Sequence, residues 1–145
     1  MGMDYVARRT ASGTLHLNWA IHSGIGRCLD LLGADLSEWS GANSGDLVSA
    51  ATCRSWANLL STAMAEERIR LCWIDGRQGK HRVLVVAGSR VQPDSLAEAL
   101  DMIDLATGRG APHDGMPTTD LDEMMTRVLK GFIEFMLESG GCRQQ

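Results

Sequence analysis

The sequence predicts a mainly α fold, a compact bundle of about four helices with one small β-hairpin over residues 68–87. Three observations predict it. Apolar residues recur at three- and four-residue steps in separate stretches near residues 21–32, 53–64 and 121–137, the period of a helix with one buried side. Each stretch opens on a residue suited to cap a helix, Asn18, Ser49 or Thr119, and Gly33 and Gly140-Gly141 stand where the first and last should stop. The chain has 145 residues, 44% of them apolar and 22% charged, which suits one globular domain able to bury a core.

Residues 1–14 show no helical period and read as a loose arm or a short edge strand. The first helix follows from Asn18, with Ile21, Ile25, Cys28, Leu29 and Leu32 on one stripe. Gly24 and Gly26 lie inside it, each costing about 1 kcal/mol against alanine. Either the helix begins nearer Ser23, or another part of the chain packs closely there. The full helix is the favoured reading.

Trp39 to Leu60 is the clearest folding signal. Gly41, Asn43, Gly45 and Asp46 mark a tight turn. Ser49 is the N-cap, with Val48 and Cys53 at the two ends of a hydrophobic staple. Cys53, Trp56, Ala57, Leu60 and Met64 then form the buried stripe of a helix running from Ala50 to about Glu67.

Residues 68–74 alternate apolar Ile69, Leu71 and Trp73 with Arg68, Arg70 and Cys72, which is strand period. With Val83 to Val86 they read as a hairpin closed by a six-residue loop from Asp75 to Lys80. The rival reading continues the second helix to Trp73. Pro93 starts a third helix through Leu96, Ala99, Leu100 and Ile103. Residues 108–118, rich in Gly and Pro, read as a mobile loop inside the domain. The last helix, from Thr119, has a broad apolar face made by Leu121, Met124, Met125, Val128, Leu129, Phe132, Ile133, Met136 and Leu137. Residues 142–145 read as a polar tail.

Two blocks carry a resemblance. One is Asn18-Trp19 through Leu32-Gly33, followed by Asn43-Ser-Gly-Asp-Leu-Val-Ser49 and the helix from Cys53 to Leu60. The other is Leu129-Lys-Gly-Phe-Ile-Glu-Phe135 ending at Gly140-Gly141. Together, over roughly half the chain, this resembles small uncharacterised bacterial and phage helical proteins. In those, an Asn-x-Gly-x-x-Val-Ser turn starts a helix and the final helix ends in Phe-x-x-x-x-Gly-Gly-Phe. Cys142 stands here in place of the last Phe. The resemblance implies a bacterial or phage helical protein and supplies no catalytic residues.

Composition and motifs narrow the function. No run of about 18 apolar residues is present, so no membrane span is expected. Nothing at the N-terminus reads as a signal peptide, and Cys28, Cys53, Cys72 and Cys142 form no CxxC pair. The four are read as reduced thiols of a cytoplasmic protein. His16 and His22, six apart, miss the spacing of a helical metal pair, and no HExxH, GxSxG or GxxxxGK[ST] occurs. Gly24-Ile-Gly26 and Gly108-Arg-Gly110 do not sit between a strand and a helix as a dinucleotide loop must. No catalytic residue, metal or cofactor is assigned, and the protein is read as a non-enzyme.

Charge is unevenly spread within the formal −4 of the chain. Residues 66–90 hold six basic and three acidic residues, a net of +3, and residues 91–138 hold three basic and ten acidic, a net of −7. The leading expectation is a non-catalytic protein-binding regulator, an inhibitor, immunity or counter-defence factor. Its contacts to a basic partner would come from Asp101, Asp104, Glu134, Glu138 and His113. The alternative is nucleic-acid binding through the basic segment, with Arg68, Arg70, Arg77, Lys80 and Arg82 on phosphates and Trp73 stacking on a base.

Overall fold

A computed structural model describes residues 2–40, 45–76, 79–91 and 119–145; over 71–76, 79–83, 90 and 119–125 it describes the backbone. The fold is α+β, which corrects the four-helix bundle expected from the sequence. Two antiparallel sheets accompany three described helices. The strands are β1 (Gly2–Ala7), β2 (Thr14–Asn18), β3 (Asp46–Val48), β4 (Ile69–Gly76), β5 (Gly79–Val86), β6 (Ser89–Arg90) and β7 (Cys142–Gln144). The helices are α1 (Trp19–Leu31), α2 (Ala50–Ala65) and α3 (Thr119–Glu138). The third helix expected from Pro93 and the loop at 108–118 lie outside the described residues.

The first sheet has the order β2-β1-β7-β3. The N-terminal residues are therefore neither a loose arm nor an edge strand: β1 is an interior strand. Its Met3, Tyr5 and Ala7 are buried while Asp4 and Val6 are less so, the period-two alternation of a sheet with one covered face. The expected polar tail is the other interior strand. Cys142 and Gln144 point inward, and Arg143 pairs with Val6 on one side and Leu47 on the other. Three residues carry too little pattern to announce a strand; β7 forms because β1 and β3 offer ladder partners on both sides.

α1 covers the inner face, packing on β1 and β2, while α2 packs along α3. Asn18 caps α1, its Oδ1 accepting the Ile21 N–H at 2.8 Å, and Gly33 follows the helix with a φ of 81°. The full first helix is thus present, and Gly26 inside it has a packing cause. A Cβ on Gly26 would lie 2.9 Å from the Trp39 indole. Trp39 is held by an offset stack on His22, 4.5 Å between ring centres, and by an edge contact with Trp56 at 5.3 Å. Gly26→Ala should therefore destabilise. Overpacking costs about 1–3 kcal/mol against about 1 kcal/mol gained in helix propensity, and a held indole cannot shift cheaply. A urea midpoint that rises on this substitution would contradict the packing.

Ser49 caps α2 as expected, accepting the Thr52 N–H at 3.2 Å, and Cys53, Trp56, Ala57 and Leu60 are buried. The hairpin is also present, and it excludes the continued helix. Its strands are longer and its connection tighter than expected: the ladder runs from Ile69↔Val86 to Gly76↔Gly79, leaving two linking residues rather than six. Ala87 and Gly88, both at positive φ, then turn the chain into β6. Ile69, Leu84, Val86 and Val91 bring this second sheet into the same core as Tyr5, Trp56, Leu129, Phe132 and Met136.

Candidate functional site

The outer face of the first sheet is not covered by a helix among the described residues. Register places Leu47, Arg143, Val6 and Thr14 in one row across its four strands. Their neighbours along each strand, such as Val48, Cys142 and Ala7, are the buried ones. A groove of about 610 Å³ lies on this face, lined by Val6, Arg8, Leu47 and Arg143 together with the cap of α2 and the Gly140-Gly141 turn. A second groove, about 370 Å³, is lined by Arg8, Arg9, Arg54, Met136 and Leu137. The two meet at Arg8, Ala50 and Gly140, which line both.

Local sequence explains the placement of each group. Gly140, at a φ of 67°, ends α3, and its missing side chain leaves room for Arg9, whose Nε would lie 3.0 Å from a Cβ there. The Arg8 and Arg9 N–H groups donate to the carbonyls of Gly141 and Ser139 at 2.8 and 3.0 Å, fixing this segment beside the turn. Arg54 follows the α2 cap by little more than one turn. Arg8, Arg9, Arg54 and Arg143 are exposed, and none is in an ion pair among the described residues. The one carboxylate lining the larger groove, Glu38, is engaged. It accepts hydrogen bonds from the Ser49 N–H at 3.3 Å, the Ser49 hydroxyl at 3.2 Å and the Thr52 hydroxyl.

The apolar content is equally localised. Two large hydrophobic side chains stand exposed among the described residues, Leu47 at 66% and Leu137 at 47%, and each lines one of the two grooves. Arginines outside any ion pair among the described residues, beside exposed leucines, fit a ligand that brings both carboxylates and apolar side chains.

Beneath the larger groove lies a sulfur pair. Cys53 Sγ and Cys142 Sγ are 3.9 Å apart, both buried, with Cys142 lining the groove. Either thiol can donate to the other; the contact lowers the Cys53 pKa against the opposing effect of burial and, with burial, raises that of Cys142. Deeper still is a polar chain. The His22 Nε2–H donates to the Ser40 carbonyl at 2.8 Å, so Nδ1 accepts the Tyr5 hydroxyl at 2.5 Å. The Ser40 N–H donates to Gln144 Oε1 at 2.9 Å. Burial lowers the His22 pKa and raises that of Tyr5, so both rings are held neutral. This chain is inside the core and reads as structural.

The residues nominated from sequence are not assembled into one site. Glu134 and Glu138 are exposed on α3, while Asp101, Asp104, His113 and Arg77 lie outside the described residues. Arg68 is exposed and sits 3.7 Å from Glu66. In the hairpin ladder Trp73 pairs with Arg82 and Asp75 with Lys80, on the strand face that also carries Ile69, whereas Arg70 falls on the opposite face. The basic segment is thus divided between two faces. Sequence reasoning missed the arginine groove because Arg8-Arg9, Arg54 and Arg143 are far apart in the chain. The available signal was the polar–apolar alternation of Thr14-Leu15-His16-Leu17-Asn18, which would have placed a strand before the first helix.

No family model, curated protein or solved structure matches the chain. Among the described residues, no helix is long and apolar enough to cross a membrane.

Proposed function

We propose that this chain is a non-catalytic protein-binding regulator of bacterial or phage origin, of the inhibitor, immunity or counter-defence kind. It holds an acidic segment of its partner in the joined grooves. The observation that carries this reading is the coincidence, among the described residues, of four arginines outside any ion pair with the two exposed leucines. Charge complementarity sets the partner's character: carboxylates meet Arg8, Arg9, Arg54 and Arg143, and apolar side chains cover Leu47 and Leu137. The partner surface is therefore acidic, where charge along the sequence had suggested a basic one. A nucleic acid would also meet the arginines, but it would leave the two leucines uncovered.

The test selects binders from a random-peptide display library on the immobilised full chain. Enriched peptides should combine Asp or Glu with Leu, Ile or Phe. Arg8→Glu with Arg54→Glu should weaken them about tenfold or more, which is ~1.4 kcal/mol. Arg68→Glu with Arg70→Glu should leave them unchanged. Peptides indifferent to the groove reversal would overturn the assignment. So would single-stranded DNA binding more tightly than any enriched peptide.

A further inference from the structure

We propose that Cys53 and Cys142 form a reversible disulfide that cross-links α2 to β7 under the groove when the protein meets hydrogen peroxide. The pair is built by the corner that links β3 to α2. Val48 is the ladder partner of Cys142, and Ser49 caps the helix whose first turn carries Cys53. Gly141 brings the strand in. A Cβ at this position would lie 3.0 Å from the Val48 carbonyl oxygen and 3.3 Å from the Ala50 nitrogen, and its φ is 102°. With no side chain there, β7 closes against the corner, and the two sulfurs come to 3.9 Å. A disulfide needs about 2.05 Å, so each sulfur has to move by roughly 1 Å, a χ1 turn of about 30°.

The chemistry balances with one peroxide. A thiolate of the pair attacks the peroxide, the O–O bond breaks, and that sulfur becomes a sulfenic acid as hydroxide leaves. The neighbouring sulfur then attacks it, the S–S bond forms and the S–O bond breaks. Two thiols and one hydrogen peroxide give one disulfide and two waters. Access is through the groove, which Cys142 lines. Cys28, also buried, lines neither groove, so the sulfurs next to each other are the ones expected to link.

The experiment treats the folded full chain with hydrogen peroxide, blocks remaining thiols with iodoacetamide, and maps digested peptides by mass spectrometry with and without dithiothreitol. The expected product is one peptide pair joining Cys53 to Cys142, lost on reduction. It should persist in a Cys28→Ser, Cys72→Ser double variant and disappear in Cys53→Ser. Recovery of Cys53 and Cys142 both alkylated after treatment would overturn the proposal, and so would their recovery as sulfonic acids or linked to other cysteines. Since the decisive measurement is on the unaltered chain, it does not depend on any variant folding.

Discussion

Trp56→Ala is expected to lose about 3–5 kcal/mol of folding stability, the range for deleting a large buried aromatic side chain. Trp56 is 1% exposed and among the largest fully buried side chains. Its Nε1–H donates to the Asp35 carbonyl at 3.0 Å, tying the segment after α1 to α2. Its ring also meets the edge of Trp39, which stacks on His22. Alanine at this position opens a cavity, leaves that carbonyl without its donor and frees the neighbouring indole. A domain of this size has a total stability of about 5–15 kcal/mol, so the loss takes a large share of it. The melting midpoint followed by far-ultraviolet circular dichroism should fall by about 10 °C or more. A fall of a degree or two would mean that Trp56 is not the keystone its burial indicates.

The second large effect is a loss of stability in acid, carried by His22. The ring is neutral in the folded protein, and burial holds its pKa below the ordinary value of 6.5, more than the Ser40 carbonyl raises it. Above that value both folded and unfolded chains carry a neutral ring, and the group adds no pH dependence. Below it the unfolded chain takes up a proton that the folded chain refuses, so stability falls as the pH falls, by at most about 1.4 kcal/mol per pH unit for one group. Protonation would also put a proton on Nδ1, the atom that accepts from the Tyr5 hydroxyl. His22→Gln should be less stable at neutral pH, by roughly 1–3 kcal/mol, because the Tyr5 hydroxyl and the Ser40 carbonyl lose their hydrogen bonds to the imidazole. The difference between the two proteins should then shrink as the pH is lowered from about 7.5 to 5, since only one of them carries the penalty. Urea midpoints that keep a constant separation across that range would show that His22 does not resist protonation.

The larger groove and the core chain lie on opposite sides of the first sheet. The inner face of the first sheet supplies a rigid support, with Tyr5, Cys142 and Gln144 packed or hydrogen-bonded below it. The outer face presents Arg143, Val6 and Leu47 at fixed ladder positions. Groups held on strands and at a helix start would lose little freedom on binding, which supports the proposed recognition by a preformed surface. The sulfur pair lies where these halves meet, so its oxidation would brace the support without adding charge to the surface.

The sequence by itself determined the local elements. Asn18 and Ser49 announce their helices because a cap needs only a side-chain oxygen and the N–H groups that follow. Gly33 and Gly140 announce helix ends because few other residues accept positive φ. The stripe through Cys53, Trp56 and Leu60 and the alternation at 69–74 gave the second helix and the hairpin for the same local reason. Tertiary structure decided the class of fold. Residues 14–18 alternate, but a lone alternation names no partner strand; Met3 to Ala7 alternate in burial and not in sequence, and Cys142-Arg143-Gln144 has almost no pattern of its own. Only the ladder from β1 through β7 to β3, joining the two chain ends to the segment before α2, turns these pieces into a sheet. That same long-range pairing gathers Arg8, Arg9, Arg54 and Arg143 around two grooves and sets Cys53 beside Cys142. Nearness across about 90 residues of chain leaves no periodic trace, because the entropy of closing such a loop is set by its length and repaid by pairing and packing that no local window contains.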